Sequence, residues 1–186
     1  MKRQKALELL HSKMQNQNLR RHCYSVAAVM KALAKYFKED EDKWEIVGLL
    51  HDGDYEETKT TPELHTMKMH EWLVKEGVKD KEILEAILSH NYAHTGQNPP
   101  KNRLEWSLYC CDELTGLIVA VALVKEAKLS NVTVDSVMSK WDKVSFASGV
   151  DRKQIEECQP RLNVPLQEFV TIALTAMQGI HDELGL

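Results

Sequence analysis

The chain has 186 residues, a length typical of one folded domain with a sizeable interior. Its formal net charge of −4 argues against general nucleic-acid binding, so a small substrate is favoured over a polymer. No apolar run approaches the roughly 20 residues that cross a bilayer, and no signal-peptide pattern is present, so we expect a cytoplasmic protein with no membrane association. The four cysteines lack CxxC spacing, which indicates neither a zinc ribbon nor a disulfide framework.

Apolar residues recur at spacings of three and four along almost the whole chain, which predicts an all-α fold of about eight helices. Asp42 is the predicted cap of the third helix, Thr61 of the fourth and Asp80 of the fifth. The predicted helices cover about residues 2–14, 19–37, 42–53, 61–75, 80–90, 103–128, 133–141 and 165–184, with another starting near Asp151.

Several histidine and aspartate side chains fall on the apolar faces of these predicted helices. At 100° per residue, His65 lies within the apolar stripe of the fourth helix and His90 lies beside Ile87 on the fifth. Burying an ionised aspartate without a partner costs several kcal/mol, so a metal ion or a protonated base is the natural compensation. The inward-facing set consists of His22, His51, Asp52, His65, His90 and Asp112.

Helical bundles build metal sites from side chains on facing helices, and this set provides imidazoles and carboxylates without thiolates. Such donors suit divalent cations such as Fe, Mn, Zn, Co, Ni or Mg better than they suit a structural zinc site. For His65 and His90, a hydrogen bond to another ligand or to the substrate is the alternative interpretation.

The ordered set His22, His51-Asp52 and Asp112 resembles the H…HD…D signature of the HD-domain superfamily. The segments LLHDGDYE, ILSHNY and CCDELTGL are similar to those of its small bacterial hydrolases, and the resemblance covers about residues 18–125. An HD dipeptide alone carries little information, because His181-Asp182 forms a second one near the C-terminus. The resemblance implies a single HD domain over residues 1–186, in which helices 131–184 pack on a metal-binding core.

By this resemblance, one metal would be held by His22, His51, Asp52 and Asp112. Asp52 would bridge to a second metal held by His65 and His90, and a water or hydroxide between the metals would be the nucleophile. Asp52 would then act in catalysis as a ligand, with Asp54 and His94 as candidate acids for the leaving oxygen. The alternatives are that Asp54 only caps a turn and that His94 lies in solvent.

Basic residues near the end of the long helix are a candidate anionic pocket, although such residues are usually only solvated. They are Lys125, Lys128, Lys140, Lys143 and Arg152.

The resemblance implies a metal-dependent phosphohydrolase, a phosphomonoesterase or phosphodiesterase, that acts on a small phosphoester such as a nucleotide. The alternatives are a di-iron oxygenase acting on a small alcohol or phosphonate, and a non-catalytic ligand-binding HD domain. Gly53 follows Asp52 without the lysine of the HDIGK version, and Tyr55 stands where the mononuclear nucleotidases have glutamate. The substrates of those two groups therefore do not transfer, and a homodimer remains open.

Overall fold

The structure, a computed structural model, describes all residues from Met1 to Leu186 and consists of helices without strands, which confirms the all-α prediction. Two single 3₁₀ turns lie at Pro62–Leu64 and Leu129–Asn131. The α-helices are α1 (Arg3–Lys13), α2 (Gln17–Phe37), α3 (Glu41–Leu50), α4 (Tyr55–Thr58), α5 (Met67–Lys75), α6 (Lys81–His90), α7 (Tyr92–Thr95), α8 (Arg103–Leu123), α9 (Val134–Met138), α10 (Arg152–Glu156), α11 (Cys158–Leu162), α12 (Leu166–Gln178) and α13 (His181–Leu184).

Two long helices, α2 and α8, form the centre of the fold and pack against each other. Helix α2 also contacts α3, α12 and α13, while α8 contacts α6, α10 and α11. Both helices bury apolar stripes at helical spacing, such as Val26, Met30 and Leu33 on α2 and Leu114 and Ile118 on α8. The same two helices carry two of the predicted site residues, His22 on α2 and Asp112 on α8.

Helices α2 and α3 form an antiparallel pair with direct backbone contact. A Cβ atom on Gly48 would lie 2.8 Å from the Cα atom of Ala27, closer than real Cβ contacts occur. Only glycine fits at this crossing, because any side chain would push the helices apart. The crossing lies roughly one helical turn from both His22 on α2 and His51 after α3.

Of the three predicted caps, Asp80 is confirmed, because its carboxylate accepts the backbone N–H of Glu82 at the start of α6. Thr61 forms no capping hydrogen bond, while Asp151 caps α10, the helix predicted to start near it. For α3, the predicted cap Asp42 is wrong, because the Asp40 carboxylate accepts the N–H of Lys43 instead, at 3.0 Å. Helix α3 ends at Leu50, so the His51-Asp52 dipeptide lies in the turn that follows a buried helix.

The prediction of one helix over residues 61–75 is wrong, because the chain breaks before α5. Thr66 has φ +69°, a left-handed conformation, and the helix begins only at Met67. Neighbouring side chains hold this break: the Asn91 amide donates to the carbonyls of Pro62 and His65, at 2.9 and 3.3 Å. Tertiary hydrogen bonds thus override the local helical pattern, and His65 lies outside the helix to which the sequence assigned it.

Three other predicted helices are too long. Helix α8 ends at Leu123 and not near residue 128, because Glu126 and Ala127 adopt positive φ in a segment with few apolar residues. The helix predicted over 133–141 covers only Val134–Met138. The final predicted helix divides into α12 and α13 at Gly179, where the amide of Gln178 donates to the carbonyls of Leu129 and Val132.

Helix α8 is also the one helix long and apolar enough to cross a membrane by length and composition. Most of its apolar residues are buried, including Leu114, Leu117 and Val121, against neighbouring helices of the same chain. This burial is the pattern of a core helix.

Gly48→Ala tests the contact between α2 and α3. We expect a loss of about 2 kcal/mol or more in the free energy of unfolding, because the added methyl group meets backbone atoms that cannot move aside. The matched control is Gly149→Ala, since a Cβ atom at Gly149 would have no neighbour within 4 Å. Urea denaturation measures both variants, and equal midpoints would contradict the close contact.

Candidate metal centre

The first pair of site histidines comes from the two sides of the α2–α3 contact. The Nε2 atoms of His22, on α2, and His51, after α3, lie 3.2 Å apart. The Asp112 carboxylate on α8 approaches both: its Oδ1 atom is 2.8 Å from His22 Nε2 and 3.5 Å from His51 Nε2. Three separate elements therefore place two imidazoles and one carboxylate around one point.

Asp52 lies between this first pair and a second pair of histidines. Its Oδ2 atom is 3.7 Å from the Nε2 atoms of both His22 and His51. Its Oδ1 atom is 3.2 Å from His65 Nε2 and 3.1 Å from His90 Nε2. Each oxygen of this carboxylate thus faces a different pair of imidazoles.

The partners of the Nδ1 atoms determine which ring nitrogen of each histidine carries a proton. His51 Nδ1 donates to the carbonyl of Gly48 at 2.7 Å, and a carbonyl can only accept. The Thr115 hydroxyl donates to the Asp112 carbonyl, so its oxygen accepts from His22 Nδ1, 3.4 Å away. In both rings the Nε2 lone pair is left for the site, the arrangement that orients metal-binding histidines.

Asp54 orients His65 in the same way. Its Oδ1 atom accepts from His65 Nδ1 at 2.7 Å, and its Oδ2 atom accepts the backbone N–H of Met69 at 3.0 Å. Asp54 is fully buried, with both oxygens occupied by protein donors. Asp54 therefore orients a site histidine. Neither of its carboxylate oxygens is free to protonate a leaving group.

The segment that carries His65 is a strained turn. Thr66 is β-branched and buried, yet it has φ +69° and ψ −29°, a region that disfavours any residue with a Cβ atom. Hydrogen bonds hold the chain on both sides of Thr66. Asn91 donates to the carbonyl of His65 before it, and Asp54 accepts the N–H of Met69 after it. The turn directs the His65 side chain toward Asp52.

Charge and burial in the cluster shift the pKa values of the two carboxylates and of three histidines. Burial alone would raise the pKa of Asp52 and Asp112, but the neighbouring imidazoles outweigh it and hold both values below the ordinary range. Burial opposes protonation of His22 and His65, yet their hydrogen bonds to aspartates raise the pKa of each to about 9. Burial lowers the pKa of His90, whose Nδ1 atom has no hydrogen-bond partner.

The donor set fits divalent cations. Neither Asp52 nor Asp112 forms an ion pair with lysine or arginine, so only the imidazoles are near enough to balance their charge. Two facing nitrogens at 3.2 Å need a proton or a cation between them, since bare lone pairs repel. His22, His51 and Asp112 form one group of converging ligand atoms, and His51, Asp52 and His90 form another. Imidazole and carboxylate donors are typical of Zn, Mn and Fe sites.

A pocket of about 340 Å³ opens onto this cluster and is lined by five of its six residues, all except the buried His51. Glu113 and Gln154 also line it, although the sequence pattern did not single them out, and so does Tyr55, which the sequence pattern marked only as a departure from the mononuclear nucleotidases. Glu113 accepts the backbone N–H of Asp151 at 2.9 Å, and burial together with Asp112 raises its pKa to about 7. The position of Glu113 next to Asp112 was the one feature of the sequence that could have indicated it.

The remaining predicted residues have different placements. His94 lines the pocket and is solvent-exposed, so it can meet a ligand that enters. None of the five basic residues lines the pocket. The Arg152 guanidinium instead donates to carbonyls of the preceding loop, including that of Phe146 at 2.7 Å. Arg152 therefore stabilises the loop.

The fold and the cluster define a class: an all-helical domain whose helices and connecting turns bring four histidines and two aspartates to one interior position. The chain belongs to the HD domain family, whose family model matches residues 19–145. That range contains all six cluster residues and extends past α9. No curated protein and no solved structure matches the chain.

The pKa shifts predict how stability depends on pH when cations are removed. His22 and His65 have folded-state pKa values raised to about 9, against an ordinary value of about 6.5. A raised histidine pKa stabilises fully below the ordinary value, and that stability is lost as pH rises through the folded value. Glu113, raised to about 7, acts in the same direction at lower pH. In EDTA, the melting temperature should therefore fall between about pH 6.5 and 9.

Cations have the opposite dependence, because they bind neutral imidazoles and must displace these protons. The stabilisation produced by added Mn²⁺ should therefore increase over the same pH range. Thermal melts in EDTA and in Mn²⁺ at pH 6 to 9 measure both trends. A metal-free protein that becomes more stable toward pH 9 would contradict the assignment.

Asp54→Asn tests the support of His65. The amide turns a donor toward one of the two N–H groups that Asp54 now accepts, so His65 loses its fixed orientation. We expect cation affinity about 10- to 100-fold weaker, the usual effect of removing an orienting partner. Competition with a fluorescent chelator for Mn²⁺ or Zn²⁺ measures it. Glu57→Gln, an exposed carboxylate nearby, is the control, and equal affinities in the two variants would refute the role.

Proposed function

We propose that the chain is a metal-dependent phosphohydrolase that acts on a small phosphoester, with two divalent cations in its centre. The HD domain family consists mostly of metal-dependent hydrolases, which supports the class of reaction. The single observation that carries the two-cation proposal is the position of Asp52, each of whose oxygens faces one pair of imidazoles at 3.1 to 3.7 Å.

In this proposal His22, His51 and Asp112 would hold one cation together with Asp52. His65 and His90 would hold the second, also together with Asp52. The low pKa of Asp52 keeps its carboxylate unprotonated at neutral pH, so it serves as a ligand and not as a proton acceptor. When bound, two such cations lower the pKa of a shared water toward neutrality and neutralise phosphoryl oxygens.

The walls of the pocket indicate the size and charge of the substrate. A volume of about 340 Å³ lies near the lower end for small-molecule sites, so the substrate is a small molecule. No lysine or arginine lines the pocket, and Glu113 adds a carboxyl group. Cations alone would have to balance the substrate charge, which favours a single phosphoryl group over a polyphosphate. His94, at the rim, remains the candidate to donate a proton to the leaving oxygen.

The test is a screen of the purified full chain for phosphate release, with Mn, Fe, Co, Ni, Zn and Mg each supplied in turn. The substrates are sugar phosphates, nucleoside mono- and triphosphates and cyclic nucleotides. We expect monophosphates to react fastest and Asp52→Ala to lose at least 1,000-fold in kcat/KM, on the order of the loss of a central catalytic group. Asp182→Ala is the matched control, since the second HD dipeptide has an aspartate side chain that is 95% exposed.

Activity that survives Asp52→Ala would refute the proposed centre. If phosphate is released from no substrate, an iron-loaded sample distinguishes the alternatives. Oxygen consumption with a mixed-valent di-iron EPR signal would replace the hydrolase with an oxygenase. Tight metal binding without either reaction would indicate a ligand-binding domain.

A further inference from the structure

A second cavity of about 340 Å³ adjoins the metal pocket and shares two lining residues with it. We call it the α2–α8 groove, because those two helices form its sides and the C-terminal segment forms its end. Both His22 and Gly116 line the groove and the metal pocket, so the two cavities meet at these residues. The groove is lined by His22, Gly116, Val119, Leu123, Leu184 and Leu186, together with a polar rim.

Gly116 lies at the junction of the two cavities and has no side chain. It lies in the interior of α8, where glycine destabilises a helix by about 1 kcal/mol relative to alanine. Packing does not require it: a Cβ atom there would meet only Val150 Cγ2, at an ordinary 3.7 Å. Gly48, by contrast, has backbone atoms at 2.8 Å. Packing therefore does not require glycine at position 116, and the space beside its backbone borders both cavities.

The walls of the groove indicate what it holds. Val119 and Leu123 on α8 and Leu184 and Leu186 in the C-terminal segment are apolar, and Leu123 is 60% exposed without a ligand. An apolar surface beside a polar reaction centre is typical of the part of a site that binds the non-reacting portion of a ligand.

The opposite rim consists of polar side chains of α2, namely Asn18, Arg21 and Ser25. Arg21 forms none of the ion pairs of the chain, and its guanidinium lies across Gly185, where a Cβ atom would be 2.8 Å from Nη2. A free cation at this rim disfavours positively charged ligands. The groove therefore suits a neutral or anionic organic group with an apolar face.

We propose that the α2–α8 groove binds the apolar alcohol portion of the substrate while the phosphoryl group lies at the metal centre. The inference rests on the proposed function, since it takes the metal pocket as the place of reaction. It narrows the substrate class to phosphoesters of alcohols with an apolar segment.

Direct binding tests the groove independently of hydrolysis. The probes are methylphosphonate and n-butylphosphonate, which contain no cleavable ester, titrated into the Mn²⁺-loaded full chain by calorimetry. Each buried methylene strengthens binding by about threefold to fourfold, so n-butylphosphonate should bind about tenfold or more tightly. Equal affinities, or no binding of either probe, would overturn the proposal.

Two variants locate the effect. Gly116→Leu fills the junction and should reduce the butyl-to-methyl affinity ratio to below about threefold. Leu123→Ser removes part of the apolar wall and should lower the ratio about twofold to threefold, even if Gly116→Leu fails to fold. Val124→Ser is the matched control, because Val124 is 62% exposed beside Leu123 but does not line the groove, so its ratio should stay unchanged. An unchanged ratio in Leu123→Ser and Gly116→Leu would exclude the groove.

Hydrolysis of methyl and butyl phosphate separates this proposal from the function on which it rests. A chain-length preference in binding without phosphate release would support the groove and refute the phosphohydrolase. Release of phosphate from both esters at equal kcat/KM, with equal phosphonate affinities, would support the phosphohydrolase and refute the groove.

Discussion

Two carboxylates, Asp52 and Asp112, lie in the interior with only imidazoles for partners, and the rest of the centre follows from this burial. Burying an ion without a fixed opposite charge beside it costs several kcal/mol. No lysine or arginine reaches either carboxylate. The four histidines can meet that cost by taking up protons or by sharing divalent cations with the carboxylates. The same side chains would therefore exchange protons for metal, which couples cation binding to both pH and stability.

The helices make this arrangement possible by fixing backbone positions before any ligand is present. The contact of Gly48 with Ala27 sets the separation of α2 and α3, and hence the 3.2 Å between the His22 and His51 nitrogens. Gly53 is less constrained, because a Cβ atom there would lie 2.6 Å from the sulfur of Met69, a flexible side chain that can shift, and not from backbone atoms. Because the lysine of the HDIGK version is missing after the HD dipeptide, the pocket has no fixed positive charge next to the histidine pairs.

The sequence predicted the helices that bury regular apolar stripes and, through them, the convergence of His22, His90 and Asp112. It failed where long-range hydrogen bonds decide the backbone. The side chain of Asn91, 25 residues from Thr66, contributes to the break before α5, and no local pattern reveals such a partner. Asp54 illustrates the same limit: its spacing from Asp52 suggested an acid or a cap, and only the folded chain shows it holding His65. Glu113 and Gln154 entered the pocket from helices whose pattern gave no reason to select them.

The left-handed backbone of Thr66 has a consequence for the lifetimes of the two halves of the centre. A β-branched residue held in that region stores roughly 1–3 kcal/mol, which is released when the turn opens. His22 and Asp112 stand on helices of 21 residues and are held by the central core, whereas His65 depends on a short segment secured by a few hydrogen bonds. The turn should therefore open locally many times for each global unfolding event. The half of the centre around His22 persists through these openings, so the two halves are assembled and dismantled at different rates.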